Sequence, residues 1–233
     1  MSQFATSYTT RRLGRQIISV VLLLVLAAFG TWGLDRLFTL RQIQVVGDPI
    51  QIQVDKDRLG KNLFFLQTAQ LEKELLASYP LLGTVTFSKS FPSTLVLHVK
   101  LRQPYVYVIT DSHQYLVDRE GIVLSESGIG PSLPRIRFDI GIRSIGSKIA
   151  DARIVAALQF LTALPEGIAI ESISEKDSAS ILATMGHTNI FLPQKGDLKV
   201  KAGTLQTIVM GFRIKGTLPT VIDLRFEKPI VTN

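Results

Sequence analysis

From Gln16 to Leu34 the chain carries no charged residue, and Ile17 to Leu34 is almost wholly apolar. At 1.5 Å rise per residue, a run of this length matches a hydrocarbon core of roughly 30 Å. No polar face interrupts it, as one would in a surface helix. The pattern predicts a single transmembrane helix over 16–34. Ile17, Leu22, Leu26 and Phe29 are its anchor residues, and Trp32 sits at the distal lipid–water boundary, which an indole favours. A cleaved signal peptide is the competing reading. Ala28 and Gly30 imitate a small-residue cleavage site, but the run is long for a signal core and Phe29 and Trp32 are bulky near the cut.

Past Asp35 the period changes. Ile43 and Val45 alternate with Gln42 and Gln44, as in a half-buried strand ending at Val46 and Gly47. Asp55 to Leu59 reads as a short helix stopped by Gly60. A longer helix begins at Thr68, carries Leu71, Leu75, Leu76 and Tyr79 on one face, and stops at Pro80. Two strands follow. In the first, Val85 and Phe87 point one way, which should set Phe87 and Leu75 in one core. In the second, Leu95, Leu97, Val99 and Leu101 do so, after a turn at Phe91-Pro92-Ser93. The order is β-α-α-β-β.

From Tyr105 the pattern becomes one of short strands. Candidates are 105–109, 114–117, 122–124, 168–173, 179–185 and 188–192, with a last strand from Val221 to Phe226. Prolines and glycines mark 125–147 as loop. Two helices interrupt the strands. One starts at Asp151 and carries Ile154, Leu158 and Leu161. The other carries Leu198, Ala202, Leu205 and Val209. The expected fold class is α+β: a single N-terminal transmembrane helix, a β-α-α-β-β domain, and a β-rich C-terminal domain with two helices. The expected divisions are a cytoplasmic tail 1–15, the span 16–34, a first domain 38–104, a second 105–227 and a tail 228–233.

Charge adds orientation. The net charge is +7, from 26 basic and 19 acidic residues. Arg11, Arg12 and Arg15 lie before the apolar run, where there is no acid, whereas Asp35, Arg36, Arg41 and Asp48 cancel beyond it. Positive flanks stay inside, so the N-terminus is expected in the cytoplasm and the rest outside it. The remaining basic surplus is spread over 200 residues without an aromatic-interleaved stripe, which argues against a nucleic-acid surface. There is no cysteine, so disulfides and thiolate chemistry are excluded. A domain of this size can bury a core without them.

A family pattern runs through these elements. Ile43-Gln44-Val45-Val46-Gly47, Gly60-Lys61-Asn62-Leu63-Phe64, Tyr79-Pro80, Lys89-Ser90-Phe91-Pro92-Ser93-Thr94-Leu95 and Arg102-Gln103-Pro104 together resemble a POTRA domain. Placed after a lone membrane helix, they resemble the bacterial cell-division family FtsQ, called DivIB in Gram-positive bacteria. Leu101 departs from the Glu commonly found before that Arg-x-Pro. Tyr115 to Leu124 resembles the family's segment ending in Asp-x-x-Gly, Lys199 to Ile208 its late helix, and Ile222-Asp223-Leu224-Arg225-Phe226 its C-terminal Asp-Leu-Arg strand. The resemblance covers roughly 17–227.

Chemistry is sparse. The chain has no Gly-x-Ser-x-Gly elbow, no His-Glu-x-x-His, no phosphate loop and no Ser three residues before a Lys. His98, His113 and His187 are scattered. Asp118 and Glu120 form a tempting carboxylate pair, but they read better as a turn in which Gly121 supplies a positive φ. No catalytic, metal or cofactor residue and no small-molecule substrate is therefore expected.

The resemblance implies a non-enzymatic scaffold at the division site of the bacterial cytoplasmic membrane. Its implied partners are the lipid bilayer and single-pass division proteins like FtsB and FtsL. The alternative is an envelope protein-translocation factor or an accessory to a cell-wall enzyme. The residues expected to bind the partner are Val221, Ile222, Asp223, Leu224, Arg225 and Phe226, because a last strand leaves an edge open for strand addition; the competing reading is that this strand merely completes the sheet and the tail covers its edge. Asp223 and Arg225 have two readings, a solvent-facing side of that strand or a side that meets a partner.

Overall fold

The structure is a computed structural model and describes residues 20–26, 33, 36–52, 62–126 and 132–232. The expected transmembrane helix is not borne out. Among the described residues no helix is long and apolar enough to cross a membrane. Within the expected span, residues 20–26 are helical and include Leu22 and Leu26. Such a piece rises only about 10 Å, a third of a hydrocarbon core. Ile17, Phe29 and Trp32 lie outside the described residues, as do Arg11, Arg12 and Arg15 and the expected helix at Asp55–Leu59. What remains of the expected fold class is α+β.

The chain divides into two compact units, one of residues 1–75 and 84–100, the other of 76–83 and 101–233. The first holds most of a three-stranded sheet built from β1 (Gln42–Gly47), β2 (Leu82–Ser90) and β3 (Thr94–Leu101), in the order β1-β3-β2 with β1 parallel to β3. Helix α1 (Thr68–Ser78) precedes β2. Leu63 and Leu95 are fully buried, and Leu40, Ile43, Leu66, Leu71 and Phe87 pack against them. The expected pairing of Leu75 with Phe87 is thus shifted by one helical turn: Leu71 reaches this cluster, and Leu75 stays half-buried. Val45 is exposed, so only Ile43 of the expected β1 pair faces inward. Gly47 has φ +123°, and a side chain there would run into the Val99 carbonyl of the paired strand. Only glycine fits.

The second unit is organised by a nine-stranded mixed sheet. Its strands are β4 (Val106–Ile109), β5 (Gln114–Val117), β6 (Val123–Glu126), β7 (Arg135–Arg137), β8 (Ser172–Asp177), β9 (Ser180–Met185), β10 (Thr188–Pro193), β11 (Val221–Asp223) and β12 (Ile230–Thr232). The order is β12-β11-β10-β9-β8-β7-β4-β5-β6. The pairs β4/β7, β7/β8 and β10/β11 are parallel. Helices α2 (Ala152–Ala163) and α3 (Leu198–Lys215) bury Ile154, Phe160, Leu198, Ala202, Leu205 and Val209 in one core with Val106, Val108, Ile136, Ile173 and Ile190 of the sheet.

Both helices begin where capping chemistry places them. The Asp151 side chain accepts from Arg153 N (2.9 Å), and that of Asp197 accepts from Lys199 N (2.9 Å) and Val200 N (3.3 Å). Gly216, in the left-handed region, ends α3. The segment expected to be loop, 125–147, contains β7. This strand carries one apolar residue, Ile136, between two exposed arginines, too short a pattern to register as a strand.

Two substitutions calibrate the first core. Leu95→Ala should destabilise the chain by about 2–5 kcal/mol through lost burial and a residual cavity. Lys73→Ala, at an exposed position of α1, should cost less than about 0.5 kcal/mol. Chemical unfolding of the two variants checks both values, and equal losses would show that the buried face is misassigned.

Candidate functional site

The expected last strand, Val221 to Phe226, ends early. β11 stops at Asp223, and Leu224 turns inward, fully buried, with its N–H donating to Phe191 O at 2.8 Å. Arg225 then folds back. Its Nη2 donates to Asp223 Oδ2 at 2.6 Å and its Nε to Oδ1 at 3.0 Å, while its backbone N–H donates to the same Oδ1 at 3.0 Å. The guanidinium lies over the rings of Phe191 and Phe226, 5.3 and 5.7 Å from their centroids, and Nη1 reaches Ser180 Oγ at 3.3 Å. Asp223 and Arg225 therefore do not present a row of charges to solvent. Asp223 is buried beneath Arg225, whose hydrogen bonds hold its carboxyl below the usual carboxylate range.

The expected open edge also lies elsewhere. β12 pairs antiparallel with β11, so Val221 faces Thr232, Ile222 faces Val231 and Asp223 faces Ile230. The edge strand on this side is β12. Pro229 restarts the chain, and the β-branched triplet Ile230-Val231-Thr232 was the signal for the missed strand. Around it Ile230 and Phe226 are more than half exposed, and Lys201 Nζ on α3 donates to Phe226 O at 2.8 Å.

The opposite edge is closed. Gly146 N donates to Val123 O at 2.7 Å, Val123 N to Ser147 O at 3.0 Å and Ile149 N to Gly121 O at 2.8 Å, so residues 146–149 lie along the outer side of β6. Covering an edge in this way prevents unwanted pairing. Among the described residues β12 has no such cover.

The other candidates resolve into structure. Asp118 is buried. Its Oδ1 accepts from Glu120 N (2.9 Å) and Ile122 N (2.8 Å), an Asx turn, with Gly121 at φ +85°. Arg102 Nη1 donates to both Asp118 Oδ2 and Glu120 Oε2 at 2.7 Å, and its Nε donates to Pro80 O at 2.8 Å. The carboxylate pair is therefore half of a clamp whose cation comes from the Arg102-Gln103-Pro104 motif. His98 Nε2 lies 3.0 Å from Ser88 Oγ, and His113 is stacked on Tyr115. Among the described residues no group of three or more metal-binding side chains converges.

The geometry defines a class first: an α+β protein whose larger unit is a mixed sheet with one edge covered and, among the described residues, the other open. The family described as cell division protein FtsQ/DivIB, C-terminal, matches residues 106–225. The chain belongs to the FtsQ/DivIB family, whose role is in cell division. Among solved structures, the major extracytoplasmic domain of the trans isomer of the cell-division protein DivIB from Geobacillus stearothermophilus is similar. Identity is 17% and the TM-score 0.33, over 46% of this chain and 87% of that one. No curated protein matches the chain.

Two predictions follow the two ion-pair clusters. Arg102→Ala strands a buried carboxylate that keeps only its backbone partners, and should cost about 1–3 kcal/mol in chemical unfolding. Arg102→Lys should recover part of that loss. For Asp223, the folded carboxyl titrates below its unfolded value of about 3.9. Its stabilisation is present above that pH and is lost as pH falls through the lower, folded value. Asp223→Asn should therefore lower stability at neutral pH and flatten the fall on acidification. Melting curves from pH 6 down to pH 2 are the measurement, and an unchanged acid slope would remove the Asp223 assignment.

Proposed function

We propose that this chain is a non-enzymatic scaffold of the division machinery that captures partner division proteins by strand addition at the C-terminal edge of its large sheet. The observation that carries this reading is the asymmetry of the edges, with β6 covered by residues 146–149 and β12 left open. An open edge offers backbone N–H and C=O groups in register, and a partner segment of extended chain completes the ladder. Val221 to Phe226 supports the edge from behind. Ile222 and Leu224 fix it to the core, Asp223 and Arg225 lock the turn, and Phe226 stands exposed beside it. With Ile230 it offers the partner an apolar contact next to the added strand.

The partner class we infer is that of small single-pass division proteins of the FtsB and FtsL kind, met at the division site, as the resemblance implies. The same reading keeps two domains, a POTRA-type domain over 38–104 and a β-rich domain over 105–227. A scaffold also accounts for how the acidic pair is used, since the carboxylates of Asp118 and Glu120 are spent on Arg102.

The test is capture of a co-expressed FtsB-like partner. Val231→Pro removes a backbone donor in the edge strand, and truncation after Pro229 removes the strand altogether. Both should weaken capture at least about tenfold, while the melting of the remaining fold persists. Proline at Leu224 is the wrong probe, because that N–H already bonds within the sheet. Wild-type affinity in a folded Val231→Pro chain sinks the proposal.

A further inference from the structure

Three separate segments of the first unit bring aromatic rings together. Phe38 lies just before β1, Phe64 and Phe65 follow the bridge between Thr39 and Asn62, and Phe91 sits in the β2–β3 turn. The backbone fixes this meeting. Leu63 N donates to Phe38 O at 2.8 Å, and Arg41 N donates to Ser93 O at 2.9 Å. Phe38 lies 5.4 Å from Phe91 and 6.1 Å from Phe64, and Phe64 lies 5.3 Å from Phe65 and 6.4 Å from Phe91, centroid to centroid. Rings in contact usually mark a core. Here Phe64 is 60% exposed, Phe65 78% and Phe91 52%, with Leu37 also exposed beside them. A contiguous apolar patch of this kind on a folded surface marks a contact site.

Charge selects the occupant. The segments 36–41, 62–67 and 88–94 contain no acid, and they carry Arg36, Arg41 and Lys89. Lys89 Nζ donates to Phe64 O at 3.0 Å, so its cation stands at the rim of the rings. Exposed aromatic side chains with the Lys89 cation at their rim and no acid in the same segments suit the boundary between acyl chains and anionic headgroups.

We propose that Phe38, Phe64, Phe65 and Phe91 form a lipid-interface seat through which the first unit rests on an anionic membrane surface. The seat lies where β1 begins, β2 ends and β3 begins. Contact there would hold the start of the three-stranded sheet at the headgroup level. This goes beyond the scaffold reading and does not rest on it, since the edge strand β12 belongs to the other unit.

The experiment uses the full chain reconstituted in vesicles of phosphatidylethanolamine and phosphatidylglycerol. Trp32 is the single tryptophan, so Trp32→Phe combined with Phe65→Trp leaves one reporter at the patch. Lipids brominated near the headgroup end of the acyl chain should quench this reporter and shift its emission to the blue. Adding Phe64→Ser and Phe91→Ser, both at exposed positions, should reduce the quenching. A Trp32→Phe chain carrying Ile142→Trp, at an exposed position of the other unit, is the control and should stay unquenched. The proposal is overturned if the Phe65→Trp reporter is unquenched, or if the control is quenched equally. It is also overturned if the reporter is shielded only when a partner division protein is added, because the patch would then be a protein-docking surface.

Discussion

The second unit depends on one hydrogen-bonded ladder that runs without a break from β6 to β12. Alternation along each strand gives such a ladder two faces, and α2 and α3 bury side chains in the core formed by one of them. A slip of one residue in any strand would turn its buried side chains outward. The register is therefore fixed by residues such as Ile136, Ile173, Ala183 and Ile190, which are buried on successive strands. The parallel β4/β7/β8 run needs this constraint most, because parallel strands are not joined by a hairpin that sets their register.

A ladder of this length has two ends, and each must be dealt with. At β6 the chain uses its own residues 146–149. At β11 it uses β12, which moves the exposed edge outward by one short strand. The Arg225–Asp223 pair belongs to the same solution. By folding back on Asp223 and stacking on Phe191 and Phe226, Arg225 turns the chain out of β11 at a fixed point, so that Pro229 can start the return. Arg102 acts in kind at the entry to the unit, tying Pro80 O to the Asp118 turn. Both arginines use a planar fork that a lysine cannot reproduce.

Much of this was legible in sequence where periodicity was long or a cap was present. The α3 face at Leu198, Ala202, Leu205 and Val209 was expected and is buried, and Asp151 and Gly121 do what capping and turn chemistry require. The misses share one cause, which is that sheets are set by neighbours distant in sequence. β7 shows one apolar residue between two arginines and becomes a strand only because β4 and β8 lie on either side of it. β12 follows a proline and offers only the short β-branched triplet Ile230-Val231-Thr232, which becomes a strand through its pairing with β11. The sequence placed Asp223 and Arg225 on one side of a continuing strand. Alternation cannot reveal that a guanidinium two residues on would fold back and bury its own carboxylate. The apolar run at 16–34 predicted a transmembrane helix from length and hydropathy alone, and the described helical piece at 20–26 is too short to be one.

The position of the edge decides how much of the core the last strand covers. If β11 were the edge, the strand that carries the fully buried Ile222 would be the last of the sheet. With β12 outside, that strand is paired on both sides. β12 itself spans three residues, with Ile230 and Thr232 exposed and Val231 half-buried. It is tethered by its pairing with β11 and by Thr220 Oγ1 donating to Thr232 O at 3.2 Å. A strand so short contributes little to the stability of the sheet, and its outer side carries backbone groups that no described strand pairs. An edge built this way leaves the buried core of the sheet one strand inside the exposed backbone.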